Sequence, residues 1–378
     1  MRPFQVFLVL AVILMAGCPG VGSETTAPQE ETEEPISPIK QVDKHEAYVT
    51  PQETELPESS QLEPEENTTR SYYIGVIPSP KTDPDTSFDD MINAYSEAGE
   101  LGEVMMVWSD PNCIGQCEKL TQNRVVEAVR TNGMEPVLTL SFATITEVPG
   151  EGLAYTICWP NHTATNITDP AFREAWVAEA KDLSEEFQPK YLSLGNEVND
   201  YFYLHPEDLE PYLTLYDEAY TEIKKVSPGT QVFIVFSYTH LIDNNQWDLI
   251  ETFDSRADLI GLTTYPWKHY ASPEHIPENY YSQIINYTNK PIAFTEIGWP
   301  SDDSEAEQAE FLGIFQQRTN GMDLEMVNWL FLHEVKLEGN IGSITEEETH
   351  TIALKKADGS KKEIYSKWEE LSDAEVKQ

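Results

Sequence analysis

From Tyr72 onward the chain alternates short apolar runs with longer stretches in which apolar residues recur at helical spacing. Eight runs read as strands: Tyr72–Ile77, Val104–Trp108, Pro136–Phe142, Tyr191–Gly195, Gln231–Ser237, Leu259–Thr264, Pro291–Thr295 and Glu325–Leu332. Helical stretches fall between them, notably 171–187, 207–226 and 304–319, and Ser366–Leu371 belongs to a closing helix. Asp169-Pro170 and Ser301-Asp302-Asp303 supply helix-start chemistry. Eight strand–helix units over about 300 residues predict an α/β fold of the (β/α)8 barrel type. The rival is a doubly wound open sheet, but no Gly-x-Gly-x-x-Gly follows the first strand, and no repeat of fixed period is present.

The pattern is absent upstream. Residues 19–70 are rich in Glu, Pro, Thr and Ser and show no apolar periodicity, which predicts a disordered acidic stalk. Residues 1–18 read as an export segment: Arg2, an apolar run from Phe4 to Met15 broken only by Gln5, then Ala16-Gly17-Cys18. The run is short for a bilayer span. Leu14-Met15-Ala16-Gly17-Cys18 resembles a lipoprotein signal, and that resemblance implies that Cys18 becomes the lipidated first residue. The expected organisation is therefore an export segment (1–18), a linker (19–70) and a barrel (71–378). The expected location is the outer face of the cell membrane, anchored by lipid or released.

Charge narrows the partners. The chain has 378 residues with 66 acids and 24 bases, a formal net charge of -42. Residues 24–70 hold thirteen acids and three bases, so most of the charge lies in the barrel. Such a surface repels phosphate backbones and anionic lipid, which argues against nucleic acid and leaves the lipid as the expected membrane contact. The spread of acids fits a salty medium and an ordinary acidic exported protein equally. A monomer is expected.

In a barrel of this type the chemistry sits where strands end. The fourth strand runs into Gly195-Asn196-Glu197 and the seventh into Thr295-Glu296-Ile297-Gly298-Trp299. A carboxylate past a buried run is costly unless paired or solvated, and two at one barrel mouth are the equipment for glycosidic cleavage. The Asn-Glu and the later Glu resemble the clan A retaining glycoside hydrolases. "TEIGWPS" and "LGNEV" are similar to the motifs of family 17, the β-1,3-glucanases, with a looser echo in "LFLHEVK". "GLTTYPW" resembles family 53, the β-1,4-galactanases. The resemblance implies a retaining mechanism on a β-linked polysaccharide or oligosaccharide, with Glu197 as general acid/base and Glu296 as nucleophile and no cofactor. It further implies that Asn196 bonds a sugar 2-hydroxyl, Tyr265 holds the nucleophile and Trp329 floors the cleft. The strand-two run ends in Trp108-Ser109-Asp110, without the arginine common in the clan. A non-catalytic glycan-binding lipoprotein on the same scaffold is the alternative.

Around this pair, Trp108, Tyr238, His240, Trp267 and Trp299 are candidates to stack on or hydrogen-bond a sugar, each also readable as packing. Tyr201 and Tyr203, just after Glu197, read equally as a subsite or a helix clamp. The long connection 143–169 is expected to wall the cleft. It holds Cys158, and the neighbouring loop 109–118 holds Cys113 and Cys117, so one bridge from Cys158 to either of them is expected in an oxidising compartment. Sequons at Asn67, Asn161, Asn166 and Asn286 only slightly exceed chance. The histidines form no HExxH and there is no Gly-x-Ser-x-Gly, so metal hydrolysis and serine-esterase chemistry are poor readings and no metal is expected.

Overall fold

The structure, a computed structural model, describes residues 69–376 apart from 84, 111, 149–151, 160–165 and 336–350. The export segment, Cys18, the stalk up to residue 68, and the sequons at Asn67 and Asn161 lie outside the described residues. Asn166 and Asn286 lie inside them and are exposed.

Eight parallel strands close into a barrel, in chain order: β2 (Tyr73–Val76), β3 (Val104–Val107), β4 (Glu135–Thr139), β7 (Tyr191–Ser193), β8 (Gln231–Ser237), β9 (Leu259–Thr264), β10 (Ile292–Ile297) and β11 (Leu324–Trp329). This is the expected (β/α)8 barrel. The small elements β1 (Thr69–Arg70) and β12 (Glu375–Val376) pair in parallel. Composition alone had assigned Thr69 and Arg70 to the stalk. Arg70 is in fact 5% exposed and its guanidinium is ion-paired with Glu103 and bonded to the carbonyls of Tyr72 and Leu371, so the folded unit begins two residues earlier.

Side-chain alternation divides the apolar residues in two, as a period of 2 requires. Val104, Met106, Val137, Phe233, Val235, Ala293 and Met326 belong to the cluster inside the barrel. Met105, Val107, Leu138, Leu192, Ile234, Phe294 and Val327 belong to the layer under the helices. At Gly75 an added Cβ would lie 2.1 Å from the Val104 carbonyl oxygen and 2.2 Å from Asn328 Oδ1, so only glycine fits between these strands.

The outer helices are α1 (Phe88–Glu100), α2 (Gln116–Gln122), α3 (Val125–Thr131), α4 (Pro170–Phe187), α5 (Val198–Leu204), α6 (Leu209–Val226), α7 (Tyr238–Asp243), α8 (Trp247–Asp254), α9 (Glu305–Thr319) and α10 (Glu363–Ser372). α4 starts as its sequence predicts: Asp169 Oδ1 accepts from Ala171 N at 2.9 Å and Pro170 takes the first helical position. α9 is capped instead by Ser304, whose Oγ accepts from Glu307 N at 3.2 Å. Between β9 and β10 only 3-10 turns form, beginning at Pro266, Pro273 and Ser282, because the prolines interrupt helical hydrogen bonding. Between β7 and β4 and the helices outside them, Trp176 is completely buried and its Nε1 donates to the Ser141 carbonyl at 2.9 Å. That burial contributes about 2–3 kcal/mol.

The connection after β4 folds back as an antiparallel hairpin, β5 (Ala143–Val148) and β6 (Gly152–Ile157). Cys158, next after β6, forms a disulfide with Cys113 (S–S 1.97 Å), and Cys117 keeps a free thiol, pushed up to about 11 by burial and the nearby acids Glu179, Asp182 and Glu186. Glu179, on α4, accepts the backbone N–H groups of Gly115 and Cys117 at 2.8 and 2.6 Å. The hairpin and the 109–117 loop are thus tied to each other and to the helix layer.

Candidate active site

Both motif carboxylates lie at the carboxyl-terminal mouth of the barrel, each delivered by a local departure from regular geometry. β7 stops at Ser193, whose Oγ donates to the Gly195 carbonyl at 2.6 Å. Gly195 turns with φ +153°, and a Cβ there would strike Val198 Cγ1 at 2.5 Å. Glu197 then takes left-handed backbone angles (φ 49°, ψ 41°) immediately before α5. For a non-glycine residue that conformation costs on the order of 1 kcal/mol, and such residues cluster at functional sites.

On β10 the device is a bulge. Strict alternation from inward Ala293 would aim Thr295 and Ile297 into the barrel and Glu296 outward. The register with β9 shifts between Phe294 and Glu296, so Glu296 stands opposite Thr263 and turns inward, while Ile297 joins the outer layer.

The two carboxylates meet opposite surroundings. Glu296 is 6% exposed and accepts two hydrogen bonds, from Trp108 Nε1 at 2.9 Å and from the Tyr265 hydroxyl, while the Asn196 side chain also favours its ionised form. Burial raises its carboxyl above the usual carboxylate range, and these groups offset that only in part by favouring the ion. Asn196 Oδ1 is itself buried with no partner within the protein. Glu197 accepts one hydrogen bond, from Thr263 Oγ1 at 2.6 Å. Burial, then the charges of Asp200 and Glu296, push its carboxyl up to about 7, against the smaller pull of Thr263 and His240. Unequal surroundings of this kind are how two carboxyls in one site come to differ in how firmly they hold a proton.

Trp108 follows directly on the second strand and aims its indole N–H at Glu296. Phase puts it there: Val104 and Met106 face inward, and Trp108 continues the series. Phe331 meets its ring edge-on at 6.1 Å between centroids. Sequence reading had placed Trp108 among several interchangeable aromatics, and the alternation along β3 is the signal that singles it out. Thr263, Asp200 and Tyr155 were missed. Asp200 Oδ1 lies 2.8 Å from His240 Nδ1, and Asp200 Oδ2 accepts from the Tyr155 hydroxyl at 3.4 Å, which brings the β5–β6 hairpin to the site.

Three expected substrate contacts are placed elsewhere. Trp329 is completely buried on the outer side of β11, where its Nε1 donates to the Ile352 carbonyl at 2.9 Å and its ring packs on Phe311 and Trp368. It shares its phase with outward Val327, so it does not floor the cleft. Tyr238 is also fully buried; its hydroxyl donates to the Tyr280 and Tyr281 carbonyls. Trp299 is 4% exposed and lies on Phe311, with its backbone carbonyl taken by Gln308. Of the tyrosines after Glu197, Tyr201 is buried with its hydroxyl on Asp208 Oδ2 at 2.6 Å, whereas Tyr203 is exposed. Among the described residues, no group of three or more His, Cys, Asp or Glu side chains is placed to hold a metal ion.

The two glutamates thus stand at the ends of the fourth and seventh strands of a closed parallel barrel. The chain belongs to glycosyl hydrolase family 53, whose model matches residues 86–328, so the family 53 echo in the sixth strand identifies it and the likeness to family 17 does not. No curated protein is detectably similar in sequence. The fold is similar to that of the exo-β-1,4-mannosidase Op5Man5 from Opitutaceae bacterium strain TAV5, with TM-score 0.62 and 14% identity over 82% of this chain. It is also similar to a family 39 glycoside hydrolase from Bacteroides cellulosilyticus WH2, with TM-score 0.53 and 15% identity over 82% of this chain. The third is GH5_18 from Streptomyces cattleya, in complex with GlcNAc, with TM-score 0.58 and 16% identity over 81% of this chain and 80% of that one. The chain spans 62% and 65% of the first two proteins.

The donors on Glu296 lead to a prediction. Tyr265→Phe removes one of them and keeps the ring, so the Glu296 carboxyl should hold its proton to higher pH. The acid limb of the kcat/KM profile is expected to move up by about 1 pH unit. An acid limb that stays in place would show that the phenol does not stabilise the ion.

Proposed function

We propose that this protein is an extracytoplasmic retaining glycosidase that cleaves a β-linked polysaccharide by double displacement, with Glu197 as general acid/base and Glu296 as nucleophile. The observation that supports this assignment is the unequal hydrogen bonding: two donors on Glu296, one on Glu197. In the first step Glu296 attacks the anomeric carbon while Glu197 gives its proton to the departing glycosidic oxygen. In the second, the Glu197 carboxylate takes a proton from water, and the oxygen of that water displaces Glu296 from the sugar. Asn196 Oδ1, buried and unpaired, is the acceptor for a sugar hydroxyl. The family resemblance makes β-1,4-galactan the first substrate to try, beside β-glucans and β-mannans.

Glu296→Ala should abolish turnover with substrate binding largely intact, because the nucleophile contributes mainly in the transition state. Azide should rescue it to give a glycosyl azide of inverted configuration. Glu197→Ala should retain the first step on substrates with good leaving groups, and azide should there give a product of retained configuration. A native enzyme that inverts the anomeric centre would refute the assignment.

The tether belongs to the same proposal: lipid on Cys18 holds the enzyme at the outer membrane surface. Cys18→Ala should release the protein or stall its processing, and unchanged membrane attachment of that variant would exclude the anchor.

A further inference from the structure

Asp200 lies three residues beyond Glu197 on α5, close enough that its backbone N–H donates to the Glu197 carbonyl at 3.1 Å. Its carboxylate is 9% exposed, and a buried carboxylate is costly unless it is paired. Both its oxygens are engaged, one by His240 Nδ1 at 2.8 Å and one by the Tyr155 hydroxyl at 3.4 Å. His240 comes from α7, after the fifth strand, and Tyr155 from the hairpin after the third. Three separate elements therefore converge beside the acid/base without any of them hydrogen-bonding its carboxyl.

We propose that Asp200 and His240 form a positioning pair that sets when Glu197 holds its proton, with an imidazolium on His240 facing the Glu197 carboxylate while the sugar is bound to Glu296. The inference rests on Glu197 being the acid/base. When Glu197 gives its proton to the leaving oxygen, Glu296 becomes a neutral ester and the negative charge passes to Glu197, beside Asp200. The imidazolium offsets that charge. In the second step Glu197 regains a proton from water, and the pair returns to its starting state with nothing gained or lost.

The groups facing Glu197 are Asp200 and Glu296, which favour its protonated form, and His240 and Thr263, which favour the ion. Those facing His240 are Asp200 and Glu197, which favour the imidazolium, and Lys268, from the turn after β9, which opposes it. On its own helix, Asp243 is taken by His269 at 3.1 Å. Tyr155 faces both carboxyls, and their charges together with burial keep its hydroxyl protonated, so it serves as a donor throughout.

The two members of the pair push Glu197 in opposite directions, which a merely structural role would not do. The test is the basic limb of the kcat/KM profile, which reports loss of the Glu197 proton. His240→Gln removes the cation and leaves Asp200 charged, so the limb should move to higher pH by about half a unit or more. Asp200→Asn removes the larger, proton-favouring charge, so the limb should move to lower pH by a similar amount. His240→Lys restores a cation and should bring the limb back to its native position or below. Should Asp200→Asn fail to fold, the contrast between Gln and Lys at position 240 decides the matter. Limbs that stay in place while activity falls, or that move the same way in the Gln and Lys variants, would overturn the proposal. Glu197→Ala with azide tests the acid/base assignment separately, so a normal result there with unmoved limbs refutes the pair alone.

Discussion

The structure of the site turns on one buried carboxylate, that of Glu296, and on the groups that offset the cost of its charge. A carboxylate 6% exposed at the top of an apolar barrel would take up a proton unless donors were aimed at it. The groups that favour the ion come from three strands: Trp108 after the second, Asn196 after the fourth and Tyr265 after the sixth. A closed parallel barrel brings those chain positions around one point, because every strand ends on the same face and the strands form a ring. The barrel interior supplies the rigidity, with Val104, Met106, Val137 and Phe233 locking the strands in phase beneath the site.

The same constraint shapes Glu197. Thr263 stands opposite Glu296 in the sheet, yet its hydroxyl reaches Glu197, so one residue spaces the two carboxyls. Glu197 receives only that donor and lies near Asp200, which leaves it the better holder of a proton. Strain at Glu197, with its left-handed backbone, and the bulge at Glu296 are the local departures that aim the pair. Both fall where a regular strand or helix would have turned the side chain away.

The sequence made the barrel legible because each strand is a short apolar run followed by a helix with its own start signal, as at Asp169-Pro170. It failed at the sixth unit, where prolines replaced the helix by 3-10 turns, and at Thr69–Arg70, whose place is set by a distant partner, Glu103. The two glutamates were legible because carboxylates at strand ends have few structural uses. Trp329, Tyr238 and Trp299 were misread because residue type was used without phase. An aromatic near a strand end faces the cleft or the helix layer according to its parity, and Trp108 and Trp329 fall on opposite sides of that rule. Asp200, Thr263 and Tyr155 act through partners far along the chain, and nothing local marks them.

The central claim, that Glu296 becomes covalently bonded to the sugar, is tested most directly by trapping. An activated 2-deoxy-2-fluoro-β-glycoside of the sugar the enzyme cleaves should inactivate it as the fluorine slows release of the glycosyl-enzyme. Mass spectrometry should then show one added glycosyl group per chain, carried by the peptide containing Glu296. A label on Glu197 or any other residue, or an enzyme that turns the reagent over with inversion and gains no mass, would contradict the account.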